Sequence, residues 1–532
     1  MADPPTTDAA AAQAADSRRW LSLAATCTAA GMVWLAFADL GVAIPTIADA
    51  FDANLSTLQW ANNAFSLVAG ALVIAAGKFG DVYGRRRMLQ LGILVFAAFS
   101  IVAAAAQGVG TLILGRGLMG IGAALILPAT LALIPPQFSG KAQLTAFGIW
   151  QAVAWGGQAV GPAIGGVITD GLGWRWLFWI NLPLAAGAFL VIRALTPESS
   201  DPDASSRTDW PGLATIGLAV FALLYALTDG PSRGWGDPLV DGLLVLSVVL
   251  AIAWVLIERR SPAPLVDLKL FRIRPYDGAL TANLTMNLAF AGLSYVLVLW
   301  LQNARGYDAV EAGLLMLPST VGIFAFIPLG GRLAARRGDR LPVLAGLMVL
   351  AAGLFVLGFL NADSGLGLMA GALVVIGLGL GLLSTPVSNT AVGDVPGELA
   401  GTAAGVFKMS SMVGGALGVA VLTAFARAFT RSDAGDALRA AGLSSSQITQ
   451  AHDALVGSSS FQEAIASLPR DLGRSVTNAV IDAFSSGVAQ SMVVTGVVAV
   501  VATGVVAWLW PRRRNRAAAS PSPAAEPEGS TP

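Results

Sequence analysis

Gly77-Lys78-Phe79-Gly80-Asp81-Val82-Tyr83-Gly84-Arg85-Arg86-Arg87 links two long apolar runs, and Gly331-Arg332-Leu333-Ala334-Ala335-Arg336-Arg337-Gly338-Asp339-Arg340 links two more far downstream. Both loops are short and basic, and the bracketing glycines stand at the same spacing, Gly77 to Gly84 and Gly331 to Gly338. A matching loop after the second apolar run of each half points to a duplicated membrane transporter.

Composition agrees with a chain that sits in lipid. Of 532 residues 12% are charged, against about 25% in soluble domains. The formal net charge of zero leaves no basic field for nucleic acid. Cys27 is the single cysteine and His452 the single histidine, so neither a disulfide framework nor a Cys/His metal centre can form. No metal or organic cofactor is expected, and no clustered catalytic set marks an enzyme. Residues 1–17 are Ala-rich and acidic, without the basic and apolar regions of a signal peptide, and read as a disordered tail. Residues 511–532 are Arg-rich and then rich in Ala, Ser, Pro and Glu, a second disordered tail.

A helix needs ~20 mostly apolar residues to cross the hydrocarbon. About fourteen runs pass that test: 21–47, 56–76, 88–107, 110–134, 143–168, 177–196, 211–228, 240–257, 278–301, 311–330, 342–360, 366–391, 400–428 and 488–510. With both ends cytoplasmic, most basic residues fall inside, among them Arg18, Arg19, Lys78, Arg85, Arg259, Arg260, Arg332, Arg336 and Arg512, as the positive-inside rule requires. An odd number of spans breaks this alternation. The expected fold is therefore all-α and polytopic: 14 transmembrane helices in an inner (plasma) membrane, as two six-helix pseudo-repeats with an inserted helix pair. Residues 18–198 form the first bundle, 199–275 the inserted pair and its linkers, and 276–510 the second bundle, with 429–487 a long external loop whose weak helical periodicity reads as amphipathic surface helices or as a plain hairpin.

Ionisable side chains at mid-span cost at least ~2.5–3.5 kcal/mol each and must face a cavity or a partner. Three stand out: Asp39 in the first span, Arg116 in the fourth and Lys408 in the thirteenth. Asp39 and Arg116 lie at similar depth and are expected to pair directly or through water. Burial and a neighbouring guanidinium push a carboxyl in opposite directions, which suits a proton-coupling group; the alternative is a static structural pair. Lys408 lines the inner cavity or serves structure alone. Trp34, Gln59, Asn63, Gln151, Trp155, Asn283 and Asn287 are candidate cavity residues, although amides within spans also serve as helix-to-helix glue.

The fifth span reads Gly156-Gly157-Gln158-Ala159-Val160-Gly161-Pro162-Ala163-Ile164-Gly165-Gly166. Gly157, Gly161 and Gly165 recur every fourth residue and make a flat helical face. Pro162 removes a backbone hydrogen bond and bends the helix. A bent, smooth helix of this kind is expected to act as a pivot between the halves and a seal against proton leakage, or as a plain packing motif.

Together these segments resemble the major facilitator superfamily, in its fourteen-span drug:proton antiporter branch, over about residues 20–510. Gly77 to Arg86 is similar to the family's loop signature, with Gly80 and Val82 departing from it. Leu112 to Ala124, with Arg116, Gly120 and Gly122, resembles the fourth-span signature, with Met119 in place of Gln. Gly157 to Gly166 matches the fifth-span antiporter signature, which argues against an uptake symporter. In the first span Ala36 stands where the family carries Asp, and Asp39 lies one turn later, ~4.5 Å along the helix. In the thirteenth span Ser411 stands at the family's usual Arg, one turn after Lys408.

The resemblance implies proton-coupled efflux of small amphipathic molecules, a multidrug or antibiotic exporter working by alternating access. The alternative is a dedicated exporter of one endogenous metabolite, siderophore or lipid. Proton is the implied coupling ion and a small molecule the implied substrate, in an expected monomer within the bilayer. The resemblance also implies gating roles for Gly77, Asp81, Gly84, Arg85 and Arg86. Asp81 would latch the two halves, because the thirteenth span begins near Leu399–Thr402 and offers its positive dipole end to a carboxylate. Ala335 occupies the equivalent place in the second half, so the latch is expected on one side alone.

Overall fold

The computed structural model describes residues 7–201, 209–262, 264–440 and 470–510. The first bundle holds α1 (Thr7–Ala38), α2 (Leu40–Phe51), α3 (Leu55–Tyr83), α4 (Arg85–Ala104), α5 (Val109–Ala132), α6 (Gly140–Leu172), α7 (Trp176–Trp179) and α8 (Asn181–Leu195). The inserted pair is α9 (Trp210–Arg233) and α10 (Pro238–Glu258). The second bundle holds α11 (Arg274–Asn303), α12 (Ala309–Leu315), α13 (Leu317–Arg337), α14 (Arg340–Leu357), α15 (Leu366–Ser388), α16 (Ala400–Ala440) and α17 (Arg470–Leu509). A π-helical turn, Asn389–Gly393, follows α15.

Thirteen of the described segments are long and apolar enough to cross a membrane. The glycine-rich α6 is not among them, although it has 33 residues. Its glycines, glutamines and tryptophans lower its hydropathy, and it meets α1 and the second bundle on two of its faces. Faces that pack on protein do not need the apolar surface that lipid demands, while Val160, Ile164 and Val167 stay exposed on the remaining one.

The packing is duplicated. In the first bundle α5 packs on α3 and α4, and α1 on α6 and α8; in the second, α15 packs on α13 and α14, and α11 on α16 and α17. Two seams join the bundles: α3 and α5 against α16, and α6 against α13 and α15. Each seam is the counterpart of the other under exchange of the halves.

The inserted pair is asymmetric in its surroundings. Helix α9 packs on α10 and also on both α3 and α16, so it covers one of the two seams. Helix α10 carries mean hydropathy of 2.6 with only 11% of its span buried, the profile of a lipid-facing helix. At its end, buried Glu258 accepts hydrogen bonds from the Leu265 and Val266 amides at 3.0 and 3.1 Å and from Trp254 Nε1 at 2.9 Å. These bonds fix the linker toward α11.

Residues 7–17, read as part of a disordered tail, are helical as the first part of α1, and three further features modify the sequence reading. The first span is broken at Asp39, which sits between α1 and α2 at the N-terminus of α2. The segment 429–487 is helical at both ends, since α16 runs on to Ala440 and α17 begins at Arg470; residues 441–469, with His452, lie outside the described residues. The fifth-span glycine face packs within its own bundle. A Cβ at Gly157 would meet Trp34, one at Gly161 would meet Ala38, and one at Gly165 would fall 2.5 Å from the Asp39 carbonyl. The stripe therefore seats α6 on the broken first span and does not form the surface between the halves. Residues of other faces of α6 do that: Gly148 looks onto Thr385 and Gly156 onto Phe324.

Candidate functional site

The first repeated loop crosses from one bundle to the other. Asp81 is 1% exposed, near the end of α3. Its Oδ1 accepts the Gly401 amide at 2.8 Å, and its Oδ2 accepts the Thr402 amide at 2.7 Å and the Thr402 hydroxyl at 2.8 Å. Gly401 and Thr402 are in the first turn of α16, where the free amides and the helix dipole favour an anion. Arg85 Nη2 donates to Asp81 Oδ1 at 2.7 Å and to the Gly397 carbonyl at 2.5 Å. The carboxylate is thus neutralised from its own half and held by the other.

Glycines allow this approach. A Cβ at Gly77 would land on the Gly401 carbonyl, and one at Gly405 would lie 2.8 Å from the Val73 carbonyl, so α3 and α16 cross with backbones nearly touching. Gly84 has φ of 103°, and a Cβ there would lie 2.7 Å from Glu198 Cδ. That turn lets the linker after α8 dock on the loop. The Arg86 amide donates to Glu198 Oε1 at 2.9 Å, Arg86 Nη1 to the Thr196 carbonyl at 3.1 Å, and Arg85 Nη1 to Ser199 Oγ at 2.9 Å. The Asp201 amide reaches the Asp81 carbonyl at 2.8 Å.

The second repeated loop also takes part in a crossing, which corrects the expectation of a one-sided latch. Ala335 plays no part; Asp339 does. Its Oδ2 accepts Asn389 Nδ2 at 2.7 Å and the Thr390 hydroxyl at 2.9 Å. Asn389 Oδ1, held in place by these bonds, accepts Gln143 Nε2 from α6 at 2.8 Å. Sequence reasoning missed Gln143 and Asp339 because the Gln143–Asn389 hydrogen bond spans 246 residues and ends on a π-turn. The aspartate that follows Gly338 was the available signal.

Nearer the middle of the bundles, Gln151 Nε2 donates to the Ser384 carbonyl at 3.3 Å and Trp155 Nε1 to Ser384 Oγ at 3.1 Å. Both are buried cross-bundle contacts. Lys408, on α16, projects into an aromatic cage, with Nζ 4.3 Å from the Trp150 ring centroid, 5.3 Å from Trp34 and 5.0 Å from Phe407. Asn283 serves as glue within the second bundle, donating to the Phe407 carbonyl and to the Ser410 and Ser411 hydroxyls, and Asn287 bonds back to Asn283. Asn63 is half-buried on α3, and Gln59 is exposed near that helix's start.

Arg116 is fully buried on α5. Its Nη2 donates to the Ala36 carbonyl and to Asn62 Oδ1, both at 2.8 Å, and its guanidinium lies 4.4 Å from the Phe65 ring centroid. Asp39 is 5% exposed and feels the charge of Arg116. Among the described residues, however, no ion pair within 4.0 Å joins them. The expected direct pair is therefore not formed. The guanidinium grips the backbone at position 36, one turn before the carboxylate, and Asp39 is left at the start of α2.

A sequence profile of the Major Facilitator Superfamily matches residues 21–419. The chain is 35% identical over 408 residues to the Multidrug resistance protein Stp of Mycobacterium tuberculosis, covering 76% of this chain and 75% of Stp. It is 36% identical over 420 residues to the Puromycin resistance protein pur8 of Streptomyces alboniger, covering 78% and 83%. Among solved structures it is similar to the human organic anion transporter MFSD10, with a TM-score of 0.59 at 14% identity over 92% of this chain and 99% of that one, a likeness of fold.

Proposed function

The chain belongs to the Major Facilitator Superfamily, and on that premise we propose that it exports small amphipathic molecules by alternating access, in exchange for inward-flowing protons. What carries the reading is the likeness, over three quarters of the chain, to relatives named for multidrug and puromycin resistance. The two bundles and the inserted pair then provide fourteen spans, α6 included, with both termini and both repeated loops in the cytoplasm. The cytoplasmic face is closed in this conformation by two latches, Asp81 on α16 and Gln143 on Asn389. Substrate would bind between the bundles at the level of Trp34, Trp155 and Lys408.

Asp39 is the proton-coupling group in this reading, and Arg116 positions it. Protonation removes the charge that the α2 N-terminus and the nearby guanidinium favour without bonding it directly, which frees the broken first span to move against the glycine face of α6. Purified chain in proteoliposomes, with an imposed pH gradient and a panel of dyes, tests this. Dye accumulation should follow the gradient, and Asp39→Asn should abolish it while expression and monodispersity stay normal. Gradient-driven accumulation of normal rate in that variant would remove Asp39 from the mechanism.

A further inference from the structure

We infer that the central site recognises its ligand through an anionic or strongly accepting oxygen on a flat aromatic body, held by Lys408 Nζ and Trp34 Nε1. This rests on the export reading and narrows its substrate class. Lys408 is 4% exposed, yet no carboxylate lies within ion-pair distance of it among the described residues. Its ammonium lies over the rings of Trp34 and Trp150 from the first bundle and of its neighbour Phe407. Aromatic faces attract a cation but accept no conventional hydrogen bond.

A second observation is independent of the charge. Trp150 Nε1 donates to Thr130 Oγ1 and Trp155 Nε1 to Ser384 Oγ. The buried Trp34 Nε1 has no acceptor. Of the nearby amide oxygens, Asn283 Oδ1 accepts from Asn287 Nδ2 at 3.2 Å, and among the described residues Trp34 Nε1 reaches none. One buried donor, Trp34 Nε1, thus lacks an acceptor beside a lysine without a carboxylate partner, and buried donors are normally paired. A phenolate, carboxylate or comparable oxygen supplies what both lack. Trp34, edge to face with the fully buried Trp150 at 6.5 Å, supplies the ring against which the rest of an aromatic ligand packs. A cationic ligand meets like charge at the same place.

Fluorescein and rhodamine 6G share a xanthene ring and carry opposite charge, so they make a matched pair of probes. Fluorescence anisotropy with the purified chain should give at least tenfold tighter binding of fluorescein. Lys408→Gln and Trp34→Phe should each reduce that preference to less than threefold, and Lys408→Arg should keep most of it. Equal or tighter binding of rhodamine 6G, binding of neither dye, or a preference that survives Lys408→Gln overturns the inference. Transport in proteoliposomes separates this from the export reading. Gradient-driven movement of rhodamine 6G without fluorescein binding sinks the anion site and leaves export standing. A Lys408-dependent fluorescein preference with no gradient-driven movement of either dye supports the site and sinks proton-driven export.

Discussion

At the scale of single residues, the sequence exposed the ionisable groups but not their partners. Asp39, Arg116 and Lys408 are conspicuous because charge is scarce in apolar runs. What Arg116 holds was not legible, because its acceptors are the backbone carbonyl of Ala36 and one of several amides on α3. A carbonyl acceptor has no letter in the sequence. The break at Asp39 was equally hidden, since the nearest proline in that helix is Pro45. Arg116→Gln should leave the Ala36 carbonyl without its charged donor in a buried site. An unmade buried hydrogen bond costs about 1–3 kcal/mol, so the variant should unfold at a lower temperature in detergent. An unchanged melting temperature would mean that the contact contributes no stability.

At the scale of elements, the decisive event is the crossing of α3 and α16. Helix-to-helix contact here depends on glycines that bring the backbones together, and on one carboxylate at a helix N-terminus. The carboxylate and its helix end were both readable in the sequence, because Asp81 lies in a repeated loop and the start of the thirteenth span follows a Pro-Gly pair. Of the second latch only Asp339 left a sequence signal, since the glutamine and asparagine that make the crossing look like ordinary helix glue. Removing one partner from a buried charged pair costs about 3–5 kcal/mol. Asp81→Asn should therefore shift the population toward a conformation open at this end. The native Cys27 can be replaced by Ser and a reporter placed by Ala404→Cys, at a fully buried position on α16. Alkylation of the reporter should speed up by an order of magnitude or more in Asp81→Asn, by less in Gln143→Ala, and by most in the combined variant. An unchanged rate in all three would show that neither contact holds the halves together. Gly77→Leu tests the same crossing from the packing side. Overpacking costs about 1–3 kcal/mol, and the substitution should slow transport even where the protein still folds.

At the scale of the whole molecule, two bundles with duplicated packing meet along two equivalent seams, and each seam carries one polar latch at the same end. The inserted pair breaks the equivalence. Helix α9 lies across the α3–α16 seam, contacting both bundles, and Arg427 of α16 bonds the Pro231 carbonyl on α9. Rocking of the bundles must loosen α9 from at least one of them. The duplicated architecture was legible because two loops repeat with the same glycine spacing. The position of the inserted pair was not, since its helices carry no motif that names a neighbour.

The coupling of cargo to protons is tested most directly by a measurement in which neither is imposed by the other's assay. Proteoliposomes with trapped pyranine and no initial pH difference receive a gradient of whichever dye the chain moves fastest, and lumenal pH and dye are followed together. Antiport predicts a lumenal pH change corresponding to proton movement opposite to the dye, lost in Asp39→Asn. Dye crossing with no change in lumenal pH, or with protons moving in the same direction, contradicts it.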